Sequence, residues 1–149
     1  MCVMARLPLI ERATHQVEVC MIEFYWPTSQ GEWLAWSSAL VTIVFGLLLL
    51  FAPRASLRIL RLQTAPNHPE AVSEARGTMA GFYLGVGICA MLFAQPLVYL
   101  ALGAGWAFTA FGRIISIMSD RGVTGYNLVS VFIEAVLAAL PLLYGLGLL

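Results

Sequence analysis

The run WLAWSSALVTIVFGLLLLFAP, residues 33–53, contains no charged side chain. An α-helix needs about 20 apolar residues to cross a hydrocarbon core of roughly 30 Å, and this run is long enough. Three more apolar runs follow, at residues 77–95, 97–119 and 127–149. Because lipid offers no hydrogen bonds to an open backbone, such continuous runs predict helices rather than strands. We therefore predict an all-α polytopic membrane protein whose four transmembrane helices form an up-down bundle.

The composition of the chain supports this fold class. Hydrophobic residues make up 60% of the 149 residues and charged residues only 11%, and the mean hydropathy is +0.86. A water-soluble chain of this length cannot bury so much apolar surface. The hydropathy therefore predicts the lipid bilayer as a partner. The formal net charge is zero, so we predict no nucleic acid as a partner. A turn at residues 103–106, GAGW, is a rival division of the third run, but it leaves a span too short to cross.

The orientation follows from the placement of arginine. The loop between the first two spans contains four arginines: Arg54, Arg58, Arg61 and Arg76. The turn at Gln95 and Pro96 has none, so the positive-inside rule places this loop in the cytoplasm and both termini on the non-cytoplasmic side. Leucine and isoleucine alternate with three of these arginines. The segment is either amphipathic, lying on the anionic membrane surface, or a plain positive flank.

The first twenty residues do not fit the transmembrane domain. Their apolar core is short and is interrupted by Arg6 and Pro8, which argues against a signal peptide. An aromatic belt follows at the start of the first span: Tyr25, Trp26, Trp33 and Trp36. We predict that residues 1–20 are a doubtful extension, that Met21 is the natural start, and that residues 21–149 form a single four-helix domain.

Arg113 and Glu134 are ionisable residues well inside the third and fourth spans. An arginine near the centre of a membrane helix costs about 2.5–3.5 kcal/mol on insertion scales, so it calls for a partner. In an antiparallel hairpin, Arg113 lies about 9 Å from Ser119 and Glu134 about 10 Å from Asn127, at 1.5 Å per residue. The depths match. We predict a bidentate ion pair, supplemented by Ser116, Ser130 or Asn127.

Polar residues near this pair define a predicted buried polar site: Arg76, Arg113, Ser116, Asp120, Asn127 and Glu134. Three interpretations of the pair remain open. It is a structural lock between two helices, or a functional polar site, or Arg113 reaches the interface alone by extending its stem.

Small residues recur every four positions along two spans. They are Ser38, Thr42 and Gly46 in the first span, and Gly77, Gly81, Gly85 and Cys89 in the second. Small residues let helix backbones approach closely in membranes. We predict that these two faces pack together, with a dimer seam through the second span as the alternative. Gly112 is predicted to permit close approach beside Arg113.

Patterns that support catalysis are missing from the sequence. There is no phosphate loop, dinucleotide fingerprint or nucleophile elbow. Cys2, Cys20 and Cys89 form no cluster with His15 and His68, so we predict no metal site. Cofactors are likewise not predicted, and the chain is predicted not to be an enzyme.

Two sequence motifs carry a family resemblance. EARGTMAGFYLGVG, residues 74–87, and FGRIISIMSDRG, residues 111–122, are followed by Glu134 in the last span. Together they resemble a family of small bacterial four-helix inner-membrane proteins catalogued only as a domain of unknown function. The resemblance covers residues 76–149, and it implies the four-helix fold and a bacterial inner-membrane location. It implies no activity.

Two functions follow as predictions. The first is a non-enzymatic integral membrane protein, acting as an accessory subunit of a larger membrane complex or as a small homo-oligomer. The alternative is a small transporter or proton or anion carrier with a cytoplasm-facing site of Arg76, Arg113, Asp120 and Glu134. The sequence does not identify a small-molecule ligand.

Overall fold

The computed structural model describes residues 26–66, 68, 70–120 and 122–149. Its elements, in chain order, are α1 (Gln30–Phe51), α2 (Pro53–Ile59), α3 (Glu70–Glu74), a π-helical turn (Ala75–Met79), α4 (Ala80–Phe93), α5 (Pro96–Ser119) and α6 (Gly125–Gly145). The segments from α3 to α4 form one continuous helix, Glu70–Phe93. Four helices are long and apolar enough to cross a membrane: α1, Glu70–Phe93, α5 and α6. The predicted fold class is confirmed, whereas the predictions on residues 1–20 and Tyr25 lie outside the described residues.

Capping residues decide where these helices begin. The Ser29 hydroxyl accepts a hydrogen bond from the backbone N–H of Glu32 at 3.1 Å, and Thr124 Oγ1 accepts one from Asn127 N–H at 3.2 Å. Pro96 occupies the first turn of α5, where a missing N–H costs nothing. The helices therefore start before the apolar runs, at residues 30, 70, 96 and 125, because caps are polar and hydropathy does not register them.

The four long helices form a closed ring in which each contacts the next and α1 contacts α6. Gly46 of α1 lies against Leu84, whereas Gly87 lies against Ile43, so α1 and α4 run antiparallel. Helices α5 and α6 also run antiparallel. Gly103 packs against Ala138 and Leu142 there, and α5 is helical through residues 103–106. The rival division at GAGW is wrong.

The core of the bundle is built around Trp106. Its ring lies 5.5 Å from the ring of Tyr83 and 6.0 Å from that of Phe45, both measured between centroids. Tyr99 and a set of small and aliphatic residues fill the rest of this cluster: Ala35, Ala39, Ala90, Leu102, Leu137 and Ala138. Large side chains such as Phe82 and Phe108 point outward and are more than 70% exposed. An apolar exterior of this kind suits a lipid environment.

A smaller cluster lies beneath α2, where Leu57 packs with Leu49, Ala75 and Ala80. The apolar residues of the predicted amphipathic segment do not share one environment. Leu57 is buried against the bundle, but Ile59 and Leu62 are exposed. At the opposite end of α1, the rings of Trp26, Trp33 and Trp36 lie 5.7–6.4 Å apart between centroids.

The two stripes of small residues have opposite surroundings. The inner stripe, which is Ser38, Thr42 and Gly46 of α1, is buried. The outer stripe, which is Gly77, Gly81, Gly85 and Cys89, is exposed, and a Cβ added at any of its three glycines would meet nothing within 4 Å. The first two spans do pack together, but the predicted face of the second span is wrong.

A different face of α4 meets α1. It contains Ala80, Tyr83, Gly87 and Ala90, and a Cβ added at Gly87 would lie 2.7 Å from Ile43. The physical reason is that packing the Tyr83 ring against Trp106 gains a large aromatic contact inside the bundle, whereas turning the glycines inward would gain little. Cys89 is exposed, so its predicted packing role is also wrong.

Candidate functional site

The candidate site lies inside the hairpin formed by α5 and α6. Arg113 is six residues before the end of α5 at Ser119, and Glu134 faces it from α6. The hairpin is tight because Gly122 fits against the chain. A Cβ there would lie 2.9 Å from the Ser116 carbonyl oxygen. This turn brings residues of equal depth opposite each other, as the hairpin argument predicted.

Arg113 and Glu134 form a multiply hydrogen-bonded ion pair. Arg113 Nε donates to both carboxylate oxygens of Glu134, at 3.0 and 3.2 Å, and Arg113 Nη2 donates to Oε1 at 2.7 Å. The side chain of Glu134 is only 7% exposed and that of Arg113 is 26% exposed. Charge-assisted contacts of this geometry are the strong class of hydrogen bond. Arg113 is therefore paired, which excludes the interpretation in which it reaches the interface without a partner.

Asn127 joins the pair to the turn of the hairpin. Its Oδ1 accepts a hydrogen bond from Arg113 Nη1 at 3.3 Å, and its Nδ2 donates to the Gly122 carbonyl at 2.8 Å. All three guanidinium nitrogens of Arg113 thus have an acceptor on α6. The amide orients the arginine and closes the turn at the same time.

Other residues of the predicted polar site lie elsewhere. Arg76 is exposed in the π-helical turn. Asp120 is exposed at the end of α5, where it accepts a hydrogen bond from Ser119 Oγ at 3.1 Å. Within the described part of the chain, neither Ser116 nor Ser130 donates a hydrogen bond to the pair. Gly112 has open space around it and brings no helix closer. The structure brings together Arg113, Asn127 and Glu134 alone from the predicted set.

A second polar network crosses the bundle nearer its middle. Trp106 Nε1 donates to Thr42 Oγ1 at 2.9 Å, and Thr42 Oγ1 donates to the Ser38 carbonyl at 2.7 Å. Ser38 Oγ donates to the Leu137 carbonyl at 2.8 Å. These bonds join α1 to α5 and α6. The sequence pattern predicts Ser38 and Thr42 only as small packing residues. The indole N–H of a mid-span tryptophan was the signal that a partner was needed.

Two buried polar atoms in the described part of the chain make no hydrogen bond: Trp36 Nε1 and Tyr99 Oη. The ring of Tyr99 is fully buried and meets that of Tyr144 edge to face at 5.4 Å between centroids. Among the same residues no three His, Cys, Asp or Glu side chains are grouped so that they hold a metal ion.

A closed ring of four membrane-length helices, with an ion pair joining the last two, defines a polytopic four-helix membrane protein. Residues 31–144 match the family described as "Domain of unknown function (DUF4345)". The chain belongs to this family, and the predicted membership of a family catalogued as a domain of unknown function is confirmed. No curated protein and no solved structure matches the chain.

Proposed function

We propose that this protein is a non-enzymatic component of the bacterial inner membrane, working as an accessory subunit or as a small homo-oligomer. The loop that contains α2 lies in the cytoplasm in this proposal, and both termini lie outside. The exposed positions of Arg54 and Arg58 at the end of α1 support that orientation through the positive-inside rule.

One observation supports the proposed non-enzymatic role most directly. Every guanidinium nitrogen of Arg113 donates to an acceptor on α6, and the Glu134 carboxylate is nearly sealed from the surface. Groups occupied in this way have little capacity left to bind a substrate. Their effect is mechanical, because separating α5 from α6 would strand two charges away from water.

A charge swap tests the mechanical role. Arg113→Glu or Glu134→Arg alone places like charges together, and we expect each to lower the free energy of unfolding by at least about 3 kcal/mol. The double variant Arg113→Glu with Glu134→Arg restores opposite charges, so we expect it to recover much of that loss. Unfolding of purified protein in detergent, followed by the circular dichroism of the helices, gives the measurement.

Asp120→Asn provides the matched control, since Asp120 is an exposed carboxylate close to the pair in sequence. It should leave stability within about 0.5 kcal/mol of the parent. Single variants as stable as the parent would overturn the structural lock.

The carrier is the second candidate, and the partial exposure of Arg113 favours it. A side chain 26% exposed is not sealed from the surface, which a carrier requires of the group that a proton or anion would reach. Proteoliposomes containing a pH-sensitive dye separate the two functions. A carrier would dissipate an imposed pH gradient and would lose this flux in folded Glu134→Gln protein, whereas the structural role predicts no flux in either protein.

The oligomeric part of the proposal has a direct test. Native mass spectrometry from mild detergent should give a mass above the 16.2 kDa monomer, from copies of the chain or from a partner that copurifies. A monomer at every detergent concentration would contradict it.

A further inference from the structure

A basic cavity lies beside α2, at the end of the bundle where α1 ends. Its volume is about 700 Å³, and its lining includes three arginines together with apolar side chains: Arg54, Arg58, Arg61, Leu57, Leu62 and Val72. Neither Arg113 nor Glu134 lines it, so it is separate from the pair.

The arginines are placed by the geometry of α2. Arg54 and Arg58 are one turn apart on its exposed face, whereas Leu57 is buried beneath them. Across the residues that the structure describes, no carboxylate lies within 4.0 Å of any of the three arginines. The cavity therefore concentrates positive charge that the described residues leave uncompensated.

Arg61 has a backbone conformation that arginine rarely adopts. Its φ is +57°, in the left-handed region. The N–H of Arg61 bonds to the Arg58 carbonyl at 3.0 Å, and that of Leu62 bonds to the Leu57 carbonyl at 2.8 Å. These two bonds form the Schellman motif that ends α2, in which glycine usually occupies the left-handed position. An arginine in place of the favoured glycine is unfavourable for the turn, and such backbone outliers cluster at binding sites.

Tyr126 holds the Arg61 side chain in place. The guanidinium carbon lies 4.7 Å from the centroid of the Tyr126 ring, near the start of α6. A cation over an aromatic face is attracted to it. This contact also ties the turn after α2 to the hairpin of α5 and α6.

A second cavity adjoins the first and is largely apolar. Its volume is about 270 Å³, and it shares Leu57, Leu62, Gln63 and Thr64 with the basic cavity before continuing to Ala75 and Met79. Glu74 borders this second cavity only. A basic compartment next to an apolar one matches a molecule that has a phosphate at one end and hydrocarbon at the other.

We propose that this double cavity binds an anionic phospholipid of the surrounding membrane. The arginines hold the phosphate, and the apolar compartment holds the first part of an acyl chain. A lipid fits better than a soluble phosphate because α2 follows directly on Phe51, the last residue of a membrane-length helix. Anionic lipid headgroups are attracted to arginines at this depth.

Binding to the purified full-length protein in nonionic detergent tests the proposal, by native mass spectrometry with three probes. We expect dioctanoyl phosphatidylglycerol to bind at least about tenfold more tightly than dioctanoyl phosphatidylcholine, through the charge of its headgroup. We also expect it to bind more tightly than glycerol 3-phosphate, through the acyl chains. Equal binding of the two lipids would overturn the anionic site. Equal binding of glycerol 3-phosphate would overturn the lipid as its source.

Arg61→Gly is the most informative variant, because glycine suits the left-handed turn and only the charged side chain is lost. We expect binding of phosphatidylglycerol to weaken about fivefold, and about fivefold again on adding Arg58→Ala. The thermal midpoint of Arg61→Gly should stay unchanged or rise, which separates lost binding from lost folding.

Arg76→Ala is the matched control, since Arg76 is an exposed arginine of the same loop that lines neither cavity. It should bind phosphatidylglycerol like the parent. An equal loss in Arg76→Ala, or no loss in folded Arg61→Gly, would show general attraction to a basic surface and would overturn the site.

Discussion

The inner stripe of α1 and the outer stripe of the second span share one sequence pattern but have opposite surroundings. Both place a small residue at every fourth position. Thr42 of α1 is 2% exposed and accepts a hydrogen bond from the Trp106 indole N–H, whereas an added Cβ at Gly81 would meet no atom within 4 Å. A period of four residues thus identifies a helix face, but it does not say whether another helix covers that face.

Hydrogen-bonding capacity accounts for the difference. Ser38 and Thr42 carry hydroxyl groups that find partners within the bundle, and in lipid those partners exist only on other helices or on the helix itself. Glycine has no side chain that draws it inward. The aromatic ring of Tyr83, on the opposite side of α4, packs against Trp106 instead, so that side of the helix faces the bundle.

Adding a larger side chain to each stripe should give the largest difference in stability between the two stripes. A Cβ at Gly46 would lie 2.7 Å from Leu84 Cγ and 3.0 Å from the Leu84 backbone nitrogen. Since a backbone atom moves less readily than a side chain, we expect Gly46→Val to lower the free energy of unfolding by about 1–3 kcal/mol. Denaturant-induced unfolding in detergent measures the change.

Gly81→Val is its matched control on the outer stripe, and it should change stability by less than about 0.5 kcal/mol. A loss at Gly81 as large as that at Gly46 would contradict the exposure of the outer stripe in the single chain.

Removing one hydroxyl should have a smaller effect. Thr42→Val keeps the shape of the side chain but leaves the buried Trp106 N–H without its acceptor, and we expect a loss of about 1 kcal/mol. The fluorescence of Trp106 should also change, as measured in protein whose other three tryptophans are replaced by phenylalanine. Thr78→Val, at an exposed position beside the outer stripe, should have no measurable effect. If Thr42→Val changed neither the free energy of unfolding nor the fluorescence, the interhelical hydrogen bond would contribute nothing to stability.

Cysteine chemistry sharpens the comparison without altering stability. Cys89 is exposed on the outer stripe, so in protein with Cys2 and Cys20 replaced by serine it should react readily with an apolar maleimide. A cysteine at the buried position 38, from Ser38→Cys, should react much more slowly in a background that also lacks Cys89. Mass spectrometry of the labelled protein gives both rates. Protection of Cys89 that disappears on dilution in detergent would show that a second copy covers the outer stripe.

The ion pair was predictable because two local facts were enough. Depth came from counting residues along two neighbouring helices, and facing came from the helical period. Arg113 and Glu134 belong to consecutive spans joined by a short turn, so few arrangements were open to them. Asn127 is likewise predicted from the sequence as a supplement to the pair. Arg76 is wrongly grouped with the pair, because nothing local tells which way an arginine in the π-helical turn points.

The bond from Trp106 to Thr42 was not predictable in the same way. Its two residues lie on α1 and α5, which are neither consecutive nor joined by a turn, and their meeting depends on how all four helices rotate. The cavity beside α2 depends on similar long-range placement. Arg61 lines it partly because Tyr126 of α6 lies within reach.

From the amino-acid sequence alone came the number of spans, the helical class and the matching depths of Arg113 and Glu134, because lipid forces the backbone to satisfy its own hydrogen bonds and apolar length sets each crossing. The tertiary structure decided which face of each helix lies inward. The inward face depends on many weak packing contacts and a few interhelical hydrogen bonds. Because lipid is as apolar as the core, the hydropathy of the sequence does not distinguish the inner face of a helix from its outer face.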